Sequence, residues 1–431
     1  MIDALVETGI GRLPAIWKVQ PLSELFETQL GKMLSQKARV GNAPKPYLRN
    51  KNVQWGRIDV SDILHMDFDQ REIEKFRLRP GDLLVCEGGE PGRAAIWNGA
   101  LTECFYQKAL HRLRPRDGRM LNDFMNYWLR FSFDLQNLYG VAGASSTIAH
   151  LPEVQLKSLP IPVPPLPEQG KIAGVLGVVQ RAIEQQERLV QLTAELKHTL
   201  LHQLFTRGLR GEPQKQTEIG PVPQSWEVGK IGDVAKTQSG GTPARDNAKF
   251  WKNGTIPWVK TGEIDYRVIQ DTEEHITADG LANSAAKLFP KGTLLMAMYG
   301  QGVTRGRVGI LGIDATTNQA CAAIILRSES EVSSHFLYYW LEYHYEDLRQ
   351  LGHGANQRNM NAALIRGFPL ACPDRDEQDE IVTVLSSLDC KLALDRRKHA
   401  TLTALFRTLL HQLMTAQIRV HDLPMAEDVD G

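Results

Sequence analysis

Between residues 168 and 206 an apolar side chain returns every three or four positions: Ile172, Leu176, Val179, Ile183, Val190, Leu196, Leu200 and Leu204, with polar Gln186 and Thr193 in the same register. That spacing keeps one stripe on one face of an α-helix, narrow enough for a coiled-coil seam. The stretch contains no proline, and no glycine after Gly177. A second seam runs through Ile381, Leu385, Leu388, Leu392, Asp395, His399, Leu402, Leu405, Leu409 and Leu413, again apolar at both ends and polar in the middle. Seams that weaken at the same place predict two long helices paired antiparallel about their centres; the pattern leaves a parallel pair open, since that also sets middle against middle. At about 1.5 Å per residue the first helix would be roughly 58 Å long. An antiparallel pair would set two heads at opposite ends of a rod, related by a pseudo-two-fold axis.

The rest of the chain reads differently. Short apolar runs at Ile256–Val259, Thr293–Met298, Val308–Leu311 and Cys321–Leu326 alternate with Gly, Pro and Asn turns and predict strands. Phe336, Tyr339, Trp340 and Tyr343 share a helical face and predict a helix over 336–348. A proline-rich hinge, residues 159–167, stops what precedes it before the first long helix begins. The fold class expected is α/β (α+β) heads plus long helices.

The chain also repeats itself. Thr8, Ile10, Gly11, Pro14, Trp17 and Val19 return as Thr217, Ile219, Gly220, Pro223, Trp226 and Val228, an offset of 209. Pro164, Glu168, Gln169 and Ile172 return at the same offset as Pro373, Glu377, Gln378 and Ile381, and Thr199–Leu204 returns as Thr408–Leu413. Inside the heads the offset drifts: Phe124–Leu129 matches Phe336–Leu341. So many identities in one order mean two tandem copies of one module. The predicted boundaries are a first head over 1–165, a central helix over 166–210, a second head over 211–374, a C-terminal helix over 375–416 and a flexible acidic tail over 417–431. Hinges and helix ends match well between copies; the heads match only at framework positions such as Trp17/Trp226 and Trp128/Trp340.

Charge narrows the chemistry. Fifty basic residues balance fifty acidic ones, and neither head is strongly basic: 21 against 18 over 1–165, and 16 against 18 over 211–374. Any binding to a polyanion must therefore come from local clusters or from partners. Five cysteines with no Cys-x-x-Cys pair argue against a disulfide framework or a cysteine-rich zinc site. With no signal-peptide pattern and no apolar run of membrane-spanning length, the expected location is cytoplasmic.

The hinge and helix start Pro164-Pro-Leu-Pro-Glu-Gln-Gly-Lys-Ile172, the helix end His202-Gln-Leu-Phe-Thr-Arg-Gly208, the opening Thr217-Glu-Ile-Gly-Pro-Val-Pro-Gln-Ser-Trp226 and the segment Gly354-Ala-Asn-Gln-Arg-Asn-Met-Asn361 together resemble the specificity subunits of Type I restriction–modification systems. The resemblance covers about residues 8–416, and it rests on the order of parts, repeated twice. It implies two target-recognition domains, each reading one half of an interrupted, asymmetric site on double-stranded DNA. It implies that the helices fix the half-site spacing and dock two methyltransferase subunits, which two restriction/translocase subunits join. Methyl transfer from S-adenosylmethionine to adenine N6 and ATP-dependent cleavage would belong to those partners, and this chain would be non-catalytic with no cofactor and no metal.

The residues agree with that division of labour. Asn42-Ala-Pro-Lys-Pro-Tyr47 lacks the adjacent prolines of an adenine methyltransferase motif, Gly300-Gln-Gly302-Val-Thr-Arg-Gly306 places its third glycine one residue late for a cofactor loop, and no phosphate-binding Gly-x-x-x-x-Gly-Lys loop occurs. Two other readings are a methyltransferase with drifted motifs and a scaffold for protein or RNA. RNA readers expose stacking aromatics, whereas the repeated aromatics here lie within apolar framework runs. Base edges are read by amide, hydroxyl and basic side chains on loops. The candidates for DNA contact in the first head are Arg49, Lys51, Asn52, Gln54, Arg93, Gln107, Lys108, Ser145, Ser146 and Thr147. In the second they are Lys260, Thr261, Tyr299, Gln301, Arg305, Arg307, Asn318, Gln319, Asn356, Gln357 and Arg358. Arg49 aligns with Lys260, Gln107 with Gln319 and Arg93 with Arg307.

Overall fold

The computed structural model describes residues 4–35, 43–139, 150–299, 303–351 and 360–420. The chain forms two compact units, Met1–Glu187 with Arg397–Gly431, and Arg188–Arg396. Each cuts both long helices, Leu166–Arg207 and Arg375–Met414, near their middles. The reason is burial: each half-helix places its apolar stripe in the core of a head.

In the first unit Ile172 and Leu176, from the start of the central helix, share one core with Phe406, Leu410, Leu413 and Met414, from the end of the C-terminal helix, and with Trp17, Phe124 and Trp128 of the head. In the second unit the pairing is mirrored. Leu201, Leu204 and Phe205 from the end of the central helix join Ile381 and Leu385 from the start of the C-terminal helix, around Trp226, Phe336 and Trp340. Start meets end in both units, so the helices run antiparallel.

The seam departs from the sequence reading at equivalent steps in each helix. Leu196 and Leu405 are 49% and 45% exposed, while the next residues, Lys197 and Phe406, are 7% and 1% exposed. A 3-4 repeat leaves one of two neighbouring positions to face inward, and the head decides which. A lysine at such a position is invisible to an apolar pattern.

Each head is a mixed α/β domain. The first has an antiparallel sheet in the order Ala94–Ile96, Leu83–Cys86, Leu110–Pro115, Phe26–Leu30, and a smaller sheet of Phe105–Tyr106, Pro44–Leu48 and Leu64–Asp67. The second has the order Ala235–Ser239, Cys321–Leu326, Leu294–Ala297, Val308–Leu311, Val268–Ile269, and a smaller sheet of Glu274–Ile276, Ile256–Val259 and Thr316–Thr317. The four strands expected from sequence are present. The expected helix over 336–348 is two, Ser334–Tyr343 and Tyr345–Gln350, broken at His344.

The proline-rich hinge is itself a strand. Pro160–Val163 pairs antiparallel with Lys18–Pro21, as Pro369–Cys372 pairs with Glu227–Lys230 in the second unit. A two-stranded ribbon has free edges, so prolines that lack an N–H are tolerated there. The ribbon returns the chain to the beginning of its head before the helix departs. Beyond the C-terminal helix the chain still packs on the first unit: Val420 is buried, Ile418 packs on the core, and Arg419 Nε lies 2.8 Å from Glu168 Oε1.

The repeated glutamine at each helix start explains itself in its contacts. Gln169 Oε1 accepts from the Leu121 backbone N–H (2.9 Å), and its Nε2 donates to the Pro164 and Arg119 carbonyls. Gln378 likewise accepts from the Ser333 N–H (2.9 Å) and donates to the Pro373 carbonyl (3.0 Å). Both amides are fully buried. Each ties the start of a long helix to the N-terminus of its head helix, satisfying a backbone donor there. Glu168 also accepts from Trp17 Nε1 at 3.0 Å, fixing the framework tryptophan.

Two measurements follow from this packing. Gln169→Leu and Gln378→Leu each leave buried backbone groups unpaired and should cost about 1–3 kcal/mol in denaturant unfolding; a cost near zero would remove the staple. His344, 4% exposed at the helix break, has its pKa lowered below 6.5 by burial, although Asp347 at 2.8 Å opposes the shift. The folded state then binds fewer protons than the unfolded one, so the contribution of neutral His344 is complete above about pH 6.5 and falls on acidification. Between pH 7 and 5 the wild type should lose more stability than His344→Phe; parallel pH profiles would exclude His344 as the titrating group.

Candidate nucleic-acid interface

The loops singled out in the first head converge. The Asn50 side chain donates to the Gly88 carbonyl (3.4 Å), Arg93 Nη2 donates to the Asn50 carbonyl (2.9 Å), and the Gln107 N–H donates to the Leu48 carbonyl (3.0 Å). Residues 49–54, 87–93 and 107–108 therefore form one surface, joined by His150 through a bridge to Gly88. In the second head Asn318 donates its N–H to the Val259 carbonyl, Met298 to the Ala320 carbonyl and Gly306 to the Ala297 carbonyl. That brings 259–263, 298–299, 303–307 and 318–319 together. Ser145, Ser146, Thr147, Gln301, Asn356, Gln357 and Arg358 lie outside the described residues.

One turn and one glycine build both surfaces. Asn50–Asn52 and Thr261–Glu263 are equivalent 3-10 turns. Asn52 Oδ1 accepts from the Arg49 N–H at 2.9 Å, and Glu263 Oε2 accepts from the Lys260 N–H at 2.7 Å. The Asn52 amide also donates to the Asp59 and Asp62 carbonyls, and the residue is 2% exposed. Asn52, singled out from sequence as a reader, is the buried brace of its turn, as Glu263 is in the other head. A side chain at Gly31 would overlap the Gln107 carbonyl, and one at Gly240 would overlap the Thr317 and Asn318 carbonyls. These glycines, 209 residues apart, let the backbone pass directly under the 107–108 and 318–319 loops.

The cations are mostly paired with carboxylates. Arg49 and Lys51 lie 2.8 and 3.0 Å from Asp62, Arg93 lies 2.7 Å from Glu90, Lys260 lies 2.6 Å from Glu273 and 3.2 Å from Glu274, and Arg307 lies 2.6 Å from Asp265. Hydrogen bonds from Arg49 and Lys51 hold the Asp62 carboxyl below the usual range, and Glu273 and Glu274 raise the Lys260 ammonium. Arg305 donates to the Arg349 carbonyl. Asn318 caps its own turn through the Ala320 N–H, and Gln54 donates to the Lys51 carbonyl. Lys108 and Gln319 are exposed; Gln319 accepts from the Thr242 hydroxyl, while Lys108, Gln107, Thr261 and Tyr299 have no side-chain partner among the described residues.

Asn50, within the loop 49–54 singled out from sequence, contacts both Gly88 and Arg93, and the second head holds a feature the sequence reading missed. In the second head the Arg245 guanidinium lies 3.9 Å from the Trp251 ring centre and 4.5 Å from that of Trp258, beside Glu274. No motif marks this cluster; only the fold brings the parts together.

Cys86 and Cys321 lie beneath the two surfaces, fully buried, and burial pushes their thiols up to about 11 and about 12. Among the described residues no group of three or more His, Cys, Asp or Glu side chains could hold a metal ion, and no helix is long and apolar enough to cross a membrane.

The sequence matches the family described as the Type I restriction modification DNA specificity domain twice, over residues 14–194 and 223–404. Two relatives from Methanocaldococcus jannaschii are similar. The Type I restriction enzyme MjaIX specificity subunit is 22% identical over 97% of each chain, and the MjaVIII specificity subunit is 26% identical over 69% of this chain and 71% of its own. Among solved structures, the specificity subunit of the Type I system of M. genitalium superposes with a TM-score of 0.62 at 17% identity, covering 92% of this chain and 96% of that one. A chain from a structure describing assembly and conformational transition of a Type I system gives 0.53 at 15% identity, covering 94% and 99%. Two modules on one frame, each matching the same domain, make this chain a member of the Type I restriction–modification DNA specificity family.

Proposed function

We propose that this chain is the non-catalytic DNA-specificity subunit of a cytoplasmic Type I restriction–modification complex. Each head reads one half of an interrupted, asymmetric site on double-stranded DNA. The paired helices set the half-site spacing and dock two methyltransferase subunits, to which two restriction/translocase subunits add. Adenine N6 methylation and ATP-dependent cleavage reside in those partners.

The observation that carries this reading is one loop platform built twice with different residues upon it. The turn brace (Asn52, Glu263) and the glycine support (Gly31, Gly240) are equivalent, and Gln107 matches Gln319, while the other polar groups upon them differ: Lys51 and Lys108 in one head, Thr261 and Tyr299 in the other. A shared frame with unlike polar groups suits two unlike half-sites. The pre-paired cations suit sequence reading over bulk attraction, because exchanging a carboxylate for a phosphate gains less than meeting one with a free ammonium.

Co-expression with the partner methyltransferase and genome-wide mapping of N6-methyladenine should return one interrupted motif that disappears when this chain is deleted. Methylation that persists without the chain would refute the assignment. Lys108→Ala should weaken binding of the assembled complex to all sequences alike and lower the salt slope by about 1, as loss of one phosphate contact does; an unchanged slope removes Lys108 from the interface. Deleting one heptad from the polar middle of both long helices removes about 10 Å of helix, or about three base pairs. The mapped spacer should shorten accordingly with both half-sites unchanged; altered half-sites at the old spacing would refute the ruler.

A further inference from the structure

At one equivalent place the two helix ends carry opposite chemistry. In the second unit Lys197 Nζ lies 2.7 Å from Glu342 Oε1 and 2.6 Å from Asp389 Oδ1, and 5.4 Å from the Tyr339 ring centre. The Tyr339 hydroxyl donates to Asp389 Oδ2 at 2.8 Å. The matching residues of the first unit are Phe406 for Lys197, Arg130 for Glu342, Gln180 for Asp389 and Tyr127 for Tyr339. There the Arg130 guanidinium lies 4.5 Å from the Phe406 ring centre and donates to Gln180 Oε1 at 3.0 Å, with the Tyr127 ring 6.1 Å from Phe406. The match is geometric as well as sequential: His202 meets the Tyr343 ring, and His411 meets the Phe131 ring, both at 6.0 Å.

The second head thus offers an anionic seat filled by a lysine, and the first a seat built on Arg130, with Asp134 3.7 Å behind its guanidinium, filled by a ring. The fillings are not interchangeable. Phenylalanine in the anionic seat leaves Glu342 and Asp389 without their cation, in a place where the Lys197 side chain is 9% and that of Glu342 15% exposed. Lysine in the other seat sets an ammonium against Arg130. Removing one partner of a buried pair costs far more than a surface pair contributes, and like charges brought together discriminate between partners. Burial raises the Glu342 carboxyl even with Lys197 beside it, which marks how much that carboxylate depends on the cation.

We propose that this inversion is an address. It makes the end of the central helix fit only the second head and the end of the C-terminal helix fit only the first, so that the two modules pair with each other and neither pairs with a second copy of itself. Self-pairing of the first module would place Lys197 against Arg130; self-pairing of the second would place Phe406 against Glu342 and Asp389.

The test uses full-length chains and thermal unfolding. Lys197→Phe should lower the melting temperature by several degrees in the wild-type background and raise it in a Glu342→Arg/Asp389→Gln background. Phe406→Lys should lower it in the wild type and raise it in an Arg130→Glu/Gln180→Asp background. A merely structural lysine or phenylalanine would cost the same in both backgrounds, and that additivity would overturn the proposal. If a single variant does not fold, recovery of a folded chain on adding its matched head substitutions reports the same coupling, and failure to recover counts against it. The double exchange Lys197→Phe/Phe406→Lys makes each helix end fit the wrong head. It should raise the fraction of two-chain species in light scattering; no rise over wild type would overturn the pairing claim.

Discussion

Each long helix has a single apolar stripe, and that stripe is weakest at its centre. Polar Gln186 and Asp395 interrupt the two stripes near mid-helix, so the apolar burial of each helix lies toward its ends. There Ile172, Leu176, Phe406, Leu410 and Leu413 in one unit, and Leu201, Leu204, Phe205, Ile381 and Leu385 in the other, are covered on a third side by a head. A large apolar side chain so covered contributes about 1.5–3 kcal/mol. Nearly everything else fits this constraint: the proline ribbon that returns each head to its own beginning, the glutamine that fastens helix to head, and compact units that divide at mid-helix.

A rigid frame frees the loops for a different task. The turn braced by Asn52 or Glu263, and the loop resting on Gly31 or Gly240, are held from beneath by backbone hydrogen bonds and close approach. What faces outward is then constrained by little except charge. Near neutrality of both heads has a local counterpart: arginines and lysines of the candidate loops are engaged by Asp62, Glu90, Asp265, Glu273 and Glu274. Such pairs hold long side chains in defined positions at little net energy, since exposed ion pairs contribute at most about 1 kcal/mol. Order, rather than affinity, is what they supply.

Duplication poses a problem that the seats answer. Two copies of one module begin with identical surfaces, and identical surfaces pair with themselves. Reversing the charge of one buried contact, with Glu342 and Asp389 set against Arg130 and Gln180, breaks that equivalence at a single site and leaves the apolar frame common to both.

The sequence by itself determined the duplication, the two long helices, the second head's strands and the absence of recognisable catalytic motifs, because each is written in local period, composition or identity at fixed offset. It also singled out candidate loops, since loops between strands announce themselves by glycine, proline and amide residues. Tertiary structure alone decided that the helices run antiparallel, because both directions set polar middle against polar middle and only the head cores distinguish the ends. It moved the seam from Leu196 to Lys197 and from Leu405 to Phe406, buried Asn52 as the brace of its turn, and made a strand within a proline hinge. In each of these the deciding partner lies far away in sequence: Glu342 is 145 residues from Lys197, and the Trp17–Glu168 bond spans 151. A periodic pattern records which face of an element is apolar, but which neighbour covers that face, and with what charge, is settled only when the chain has closed upon itself.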